Sequence, residues 1–129
     1  MSTARYWRET PQRYRMEAGR CTRCGRIWFP PREICPNCRN VHFEKVTLAG
    51  EGAVETFTVI HVPPAGFEDQ SPYAVAIVKL DDGVRITCQL VDCDTAGIQP
   101  GMRVRTEFRK VQEDGHAGMI MYGYKAVPA

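Results

Sequence analysis

Two Cys-x-x-Cys pairs, Cys21-Thr22-Arg23-Cys24 and Cys35-Pro36-Asn37-Cys38, stand ten residues apart. A spacing of two residues is one tight turn, so both sulfurs of a pair face the same point. Two such turns at the tips of a short ribbon complete a tetrahedral four-thiolate shell for one zinc ion. Gly25 follows the first pair, where the turn needs a residue that tolerates positive φ. The residues from Met1 to Arg15 are polar and arginine-rich with no apolar run, so secretion and a disulfide framework are not expected. A redox dithiol usually carries one such pair ahead of a helix. A rubredoxin-like iron site is a nearer rival, but the loop between the pairs is short for it. Cys21, Cys24, Cys35 and Cys38 are therefore expected to hold structural zinc, one per chain. A closed shell leaves no open position for catalysis.

The 129 residues suffice for a small module joined to a small domain, and 43% hydrophobic with 25% charged residues is a globular balance. No segment reaches the ~20 apolar residues of a membrane span, so no membrane partner is expected and a cytoplasmic location is the default. The net charge of +2 hides an asymmetry. Residues 1–50 carry ten Lys/Arg against four Asp/Glu, and residues 51–129 carry seven against eleven. The basic half is rich in arginine, whose planar fork suits carboxylates and other anions.

Hydropathy patterning divides the chain into a helical arm (1–13), a zinc ribbon (14–42) and a barrel (43–129). Ser2-Thr3 can cap the arm, and Thr10-Pro11 breaks or restarts it. Tyr6 and Trp7 make it sticky; Trp7 either packs on its own domain or docks on a partner. Tyr14 to Ala18 and Ile27 to Phe29 read as extended runs around the first cysteine turn. The stiff Phe29-Pro30-Pro31-Arg32 segment places Arg32 either as a solvated charge or as an anion or partner contact. From Phe43 the period becomes that of strands. Gly50-Glu51-Gly52 suits a bulge or bend. Strands are expected over Ala53 to Val62, Tyr73 to Leu80, Val84 to Val91, Met102 to Val111 and Met119 to Lys125. Turns fall at Asp81-Asp82-Gly83, Pro100-Gly101 and Glu113-Asp114-Gly115. The expected fold is mainly β: a short N-terminal helical arm, a rubredoxin-like zinc ribbon and a five-stranded OB-fold barrel.

The remaining residues make no positive case for catalysis. His42, His61 and His116 lie far apart and show no nucleophile–base pattern. Cys88 reads as a buried strand residue, and Asp92 and Asp94 disfavour a reactive thiolate at Cys93. Single-stranded nucleic acid would need a positive groove with stacking aromatics. The acidic barrel half argues against it, although Arg103, Arg105, Arg109 and Lys110 keep a local patch open.

Several motifs together resemble a known family. They are Cys-x-x-Cys-Gly, Phe29-Pro30-Pro31-Arg32, Cys-Pro-x-Cys, Gly50-x-Gly52, Pro72-Tyr73-Ala74-Val75-Ala76 and Leu80-Asp81-Asp82-Gly83-Val84-Arg85. In that order they resemble the zinc-ribbon/OB-fold family of acyl-CoA-associated accessory proteins, first described as a domain of unknown function. The tail from Gly115 to Lys125 is similar to that of stand-alone archaeal-type members. The resemblance implies a non-catalytic scaffold that holds an acetoacetyl-CoA thiolase and a hydroxymethylglutaryl-CoA synthase together in the mevalonate pathway. Trp7 and Arg32 are then candidate contacts to a partner or to CoA. An acyl-CoA-binding module shaping a partner's substrate site is the alternative. The family offers no catalytic residue to carry over.

Overall fold

The computed structural model describes residues 3–113 and 118–129. Residues up to Leu48 form one compact unit and Ala49–Ala129 a second. Ser2, Asp114, Gly115 and His116 lie outside the described residues.

The first unit opens with two six-residue helices, α1 (Thr3–Arg8) and α2 (Thr10–Arg15). Helices this short are not stable alone and depend on packing. Proline in the first turn of α2 restarts the helix, as the Thr10-Pro11 step implies. Tyr6 is buried and its hydroxyl bonds to that of Tyr14, with the rings edge to face. Helix α2 stops at Met16, which turns left-handed at φ 52° while its N–H donates to the Pro11 carbonyl. Tyr14 and Arg15 are thus helical, where extended chain was expected. The Tyr6–Tyr14 contact and burial of the Met16 side chain favour one more turn of helix.

Strand β1 (Glu17–Cys21) then forms the centre of a three-stranded sheet, between β2 (Ile27–Trp28) and β3 (Phe43–Thr47). Both pairings are antiparallel, with Arg20 opposite Ile27 and Cys21 opposite Phe43. The strand period from Phe43 was expected to lead into the barrel, but Phe43–Thr47 completes the ribbon sheet. Alternation identifies a strand without naming its partner. The free edge of β1 supplies that partner, which places Phe43 beside the first knuckle.

The second unit is a closed barrel of β4 (Glu51–Ile60), β5 (Tyr73–Leu80), β6 (Arg85–Leu90), β7 (Arg103–Glu113) and β8 (Ile120–Pro128), in the order β4-β5-β6-β8-β7. Strand β7 closes onto β4, and β6 meets β8 in parallel at Leu90 and Ala126. On β5, Ala74, Ala76, Val78 and Leu80 are buried while Ile77 and Lys79 are exposed, the period-2 alternation of a strand with one face inward. Val54, Ile86, Leu90, Val104 and Ala126 join them in the core. The β5–β6 turn is fixed by Asp82, whose carboxylate accepts the N–H groups of Ala49 and Val84. The bulge of β4 falls between Val54 and Thr56. Gly52 has another reason to be glycine: a Cβ there would lie 2.4 Å from the Lys79 carbonyl oxygen.

Candidate metal centre and flanking surfaces

The ribbon presents its two Cys-x-x-Cys turns with matching hydrogen bonds. In the first, the Cys21 N–H donates to the Arg26 carbonyl at 2.8 Å and the Gly25 N–H to the Cys21 carbonyl at 3.0 Å. In the second, the Cys35 N–H donates to the Asn40 carbonyl and the Arg39 N–H to the Cys35 carbonyl, both at 2.8 Å. The residue after each pair is left-handed: Gly25 at φ 76° and Arg39 at φ 62°. Glycine takes that conformation freely; arginine occupies it against its steric preference.

The four sulfurs lie within 4.8 Å of one another, with Cys21 to Cys38 at 3.4 Å and Cys24 to Cys35 at 3.6 Å. A tetrahedron of sulfurs about 2.3 Å from a central zinc has edges of about 3.8 Å. The observed separations fit that shell and exclude disulfides, whose sulfurs sit about 2.05 Å apart. Cys21 and Cys35 are buried. Their electrostatics also call for a cation. Burial pushes the Cys21 thiol up, but the N–H groups of Cys24 and Arg23, the Asn40 amide and Cys38 outweigh it and bring it down to about 5. Burial opposes ionisation of Cys35 too, and the N–H groups of Cys38 and Asn37 overcome it. The Asn40 N–H favours the Cys38 thiolate, yet burial and the neighbouring sulfurs push its thiol up to about 11. A cation at their centre offsets the mutual repulsion of four crowded thiolates. Zinc held by these four cysteines would fix both turns and leave no coordination site for substrate.

Asn40 is the residue that sequence reasoning missed. Its amide nitrogen lies 3.4 Å from the Cys21 sulfur, 3.0 Å from the Thr22 hydroxyl and 2.8 Å from the His42 carbonyl. Its side-chain oxygen accepts the His42 N–H at 3.3 Å. One side chain thereby ties the second knuckle to the first and hydrogen-bonds a metal ligand. The sequence signal was an asparagine two positions after Cys38. His42 acts through its backbone, and its imidazole is not among the grouped ligands.

Of the paired aromatics in the arm, Tyr6 is buried and Trp7 is 77% exposed. Arg32 is exposed and forms no ion pair with any described residue. Arg8 and Pro31, their chain neighbours, line one cleft of about 300 Å³ together with Pro11, Gln12, Glu17, Ala18 and Lys45.

The barrel arginines are engaged internally. Arg103 grips Asp81 with two bonds of 2.9 Å and lowers that carboxyl below its ordinary range. Arg105 bonds Glu107 at 2.8 Å, Arg109 bonds Asp92 at 2.7 Å and Lys110 lies 3.9 Å from Glu113. Phe108 and Tyr122 stack on each other at 5.2 Å. Cys88 is buried in β6, and burial pushes its thiol up to about 12. Cys93 is raised by burial first and by Asp92 and Asp94 next.

The fold and the cysteine site define a zinc-ribbon/OB-fold protein. Residues 8–41 match the model for the ChsH2 rubredoxin-like zinc ribbon domain, and residues 45–109 that for the ChsH2 C-terminal OB-fold domain. The chain belongs to this ChsH2-type, or DUF35, family. It is 48% identical over 125 residues to a DUF35 domain-containing scaffold protein of Methanocaldococcus jannaschii, covering 96% of this chain and 89% of the relative. It is 34% identical over 71 residues to benzoylsuccinyl-CoA thiolase subunit BbsA of Thauera aromatica, covering 55% of this chain and 48% of that one. A solved structure described as an Ltp2-ChsH2(DUF35) aldolase superposes with a TM-score of 0.75 at 28% identity, covering 99% of this chain and 96% of the other.

Proposed function

We propose that this protein is a non-catalytic scaffold subunit that bridges an acetoacetyl-CoA thiolase and a hydroxymethylglutaryl-CoA synthase, supporting acetoacetyl-CoA transfer in the mevalonate pathway. The observation that carries the reading is the near full-length match to a relative named as a scaffold. A thiolase subunit among the relatives, and a family member within a solved aldolase, support an acyl-CoA enzyme as partner. The closed four-cysteine site gives the metal a structural task. Condensing two acetyl-CoA molecules is uphill, so rapid consumption of the product draws the reaction forward. Tethering the consuming enzyme nearby raises the local concentration of its substrate without new chemistry.

The barrel's charge pairing weighs against a nucleic-acid partner, because the cations of the candidate patch are already neutralised. A cleft of about 420 Å³ in the barrel unit bears on the acyl-CoA alternative. Among the described residues, Glu68, Asp69 and Glu113 line it against one cation, Lys110, a poor setting for the phosphates of CoA. The test is to run purified thiolase and synthase with and without this protein and follow free acetoacetyl-CoA. A scaffold lowers the transient level of the intermediate while leaving each enzyme's separate activity unchanged. An unchanged transient, or binding of CoA by the isolated protein in calorimetry, would favour the alternative.

A further inference from the structure

The cations of the two units differ in their partners. In the barrel, Arg85, Arg103, Arg105 and Arg109 each bond a barrel carboxylate. In the arm and ribbon, Arg8, Arg23, Arg26, Arg32, Arg39 and Lys45 form no ion pair with any described residue. The unit cannot neutralise them itself. Three of its four carboxylates are already taken: Glu9 by Arg5 and Arg13, Glu17 by Arg15 and Glu44 by Arg20.

Two of the unpaired cations, Arg8 and Lys45, converge on the 300 Å³ cleft between the arm and the ribbon sheet. Gln12 adds a polar group, Glu17 also lines the cleft with its carboxylate held by Arg15, and Pro11, Ala18 and Pro31 give apolar walls. Trp7 stands exposed beside Arg8 on α1, and Arg32 stands exposed beside Pro31. Exposed Trp and Arg next to an apolar recess is the composition of an interface hot spot. The volume lies at the lower limit of the ~300–1,000 Å³ typical of small-molecule sites. It suits one or two side chains of an extended segment and is tight for an entire acyl-CoA.

We propose that this arm–ribbon cleft docks a segment of the thiolase-type partner that presents an Asp or Glu beside an apolar side chain. The carboxylate meets Arg8 and Lys45, and the apolar neighbour packs on Trp7 and the proline walls. The inference rests on the scaffold reading and locates its contact.

The test uses the full chain and purified acetoacetyl-CoA thiolase from the same organism, with affinity measured at low and high salt. The double variant Arg8→Glu/Lys45→Glu is expected to bind at least tenfold more weakly at low salt, and its affinity should depend less on salt. Trp7→Ala should also weaken binding. Arg85→Gln, a change of barrel charge, should leave it unaltered. Arg8→Gln serves if the double reversal disturbs folding, and a zinc content of one per chain verifies that each variant is folded. A complex that is indifferent to these ribbon substitutions overturns this inference and leaves the scaffold reading standing. Absence of any complex with the unmodified chain overturns both. Self-association of the chain alone that the Arg8→Glu/Lys45→Glu variant abolishes assigns the cleft to a second copy, and this inference fails.

Discussion

Replacing Asn40 with alanine removes no zinc ligand, yet it should weaken zinc binding by about 10–100-fold. Two independent routes give that magnitude. The Asn40 amide lies 3.4 Å from the Cys21 sulfur, and a hydrogen bond to a charged acceptor contributes about 1.5–3 kcal/mol. Groups that hydrogen-bond a metal ligand typically cost 10–100-fold in affinity when removed, which is about 1.4–2.8 kcal/mol. The same substitution frees the Thr22 hydroxyl and the His42 carbonyl, but both are exposed and water replaces the bond at small cost. The bond from the Cys35 N–H to the Asn40 carbonyl is main-chain and survives. Asn40→Asp should be worse than alanine, because it sets a carboxylate against a thiolate. Competition with a chromophoric zinc chelator reads the affinity directly. An Asn40→Ala protein within threefold of the parent, or an aspartate variant that binds as well as asparagine, would refute the argument that this amide organises the site.

Gly52→Ala should destabilise the barrel by about 1–3 kcal/mol, since the new methyl would lie 2.4 Å from a backbone oxygen that cannot withdraw; an unchanged urea midpoint would count against the close approach. Arg39→Gly should stabilise the ribbon by roughly 0.5–1 kcal/mol. It relieves a left-handed non-glycine residue costing about 1–2 kcal/mol, offset by about 0.5–1 kcal/mol of glycine entropy; chelator-induced unfolding should then need more chelator. For Cys93 the sign follows from a thiol raised in the fold by burial, Asp92 and Asp94. Its alkylation rate in the folded protein should keep climbing beyond pH ~8.5, where an unperturbed thiol begins to level off. A profile identical to that in urea would contradict this.

The zinc site was legible because chelation fixes its spacing: four cysteines in two turns leave few geometries. The barrel was legible through period-2 alternation, clearest in β5, where Ala74, Ala76, Val78 and Leu80 point inward as the pattern requires. What was not legible depended on partners distant in sequence. Phe43–Thr47 reads as a strand, but nothing local says that it pairs with β1. Tyr6 and Trp7 are adjacent and both aromatic. The contact with Tyr14 on the next helix, which accompanies burial of Tyr6, is not visible in the local sequence. Asn40 looks like any loop asparagine until the first knuckle folds against it. The arginines of the β7 strand form a basic patch on paper. Arg105 pairs with Glu107 of its own strand, but Asp81 and Asp92, the partners of Arg103 and Arg109, come from other turns of the barrel and become visible only once it closes.

The role proposed for this chain is to join two enzymes without performing chemistry of its own. Light scattering on a size-exclusion column decides it most directly, with thiolase and hydroxymethylglutaryl-CoA synthase from the same organism mixed with and without this protein. The scaffold account predicts one peak whose mass contains all three proteins, and separate thiolase and synthase peaks when this chain is left out. Thiolase and synthase that elute apart in its presence, or that assemble equally well without it, would contradict the account.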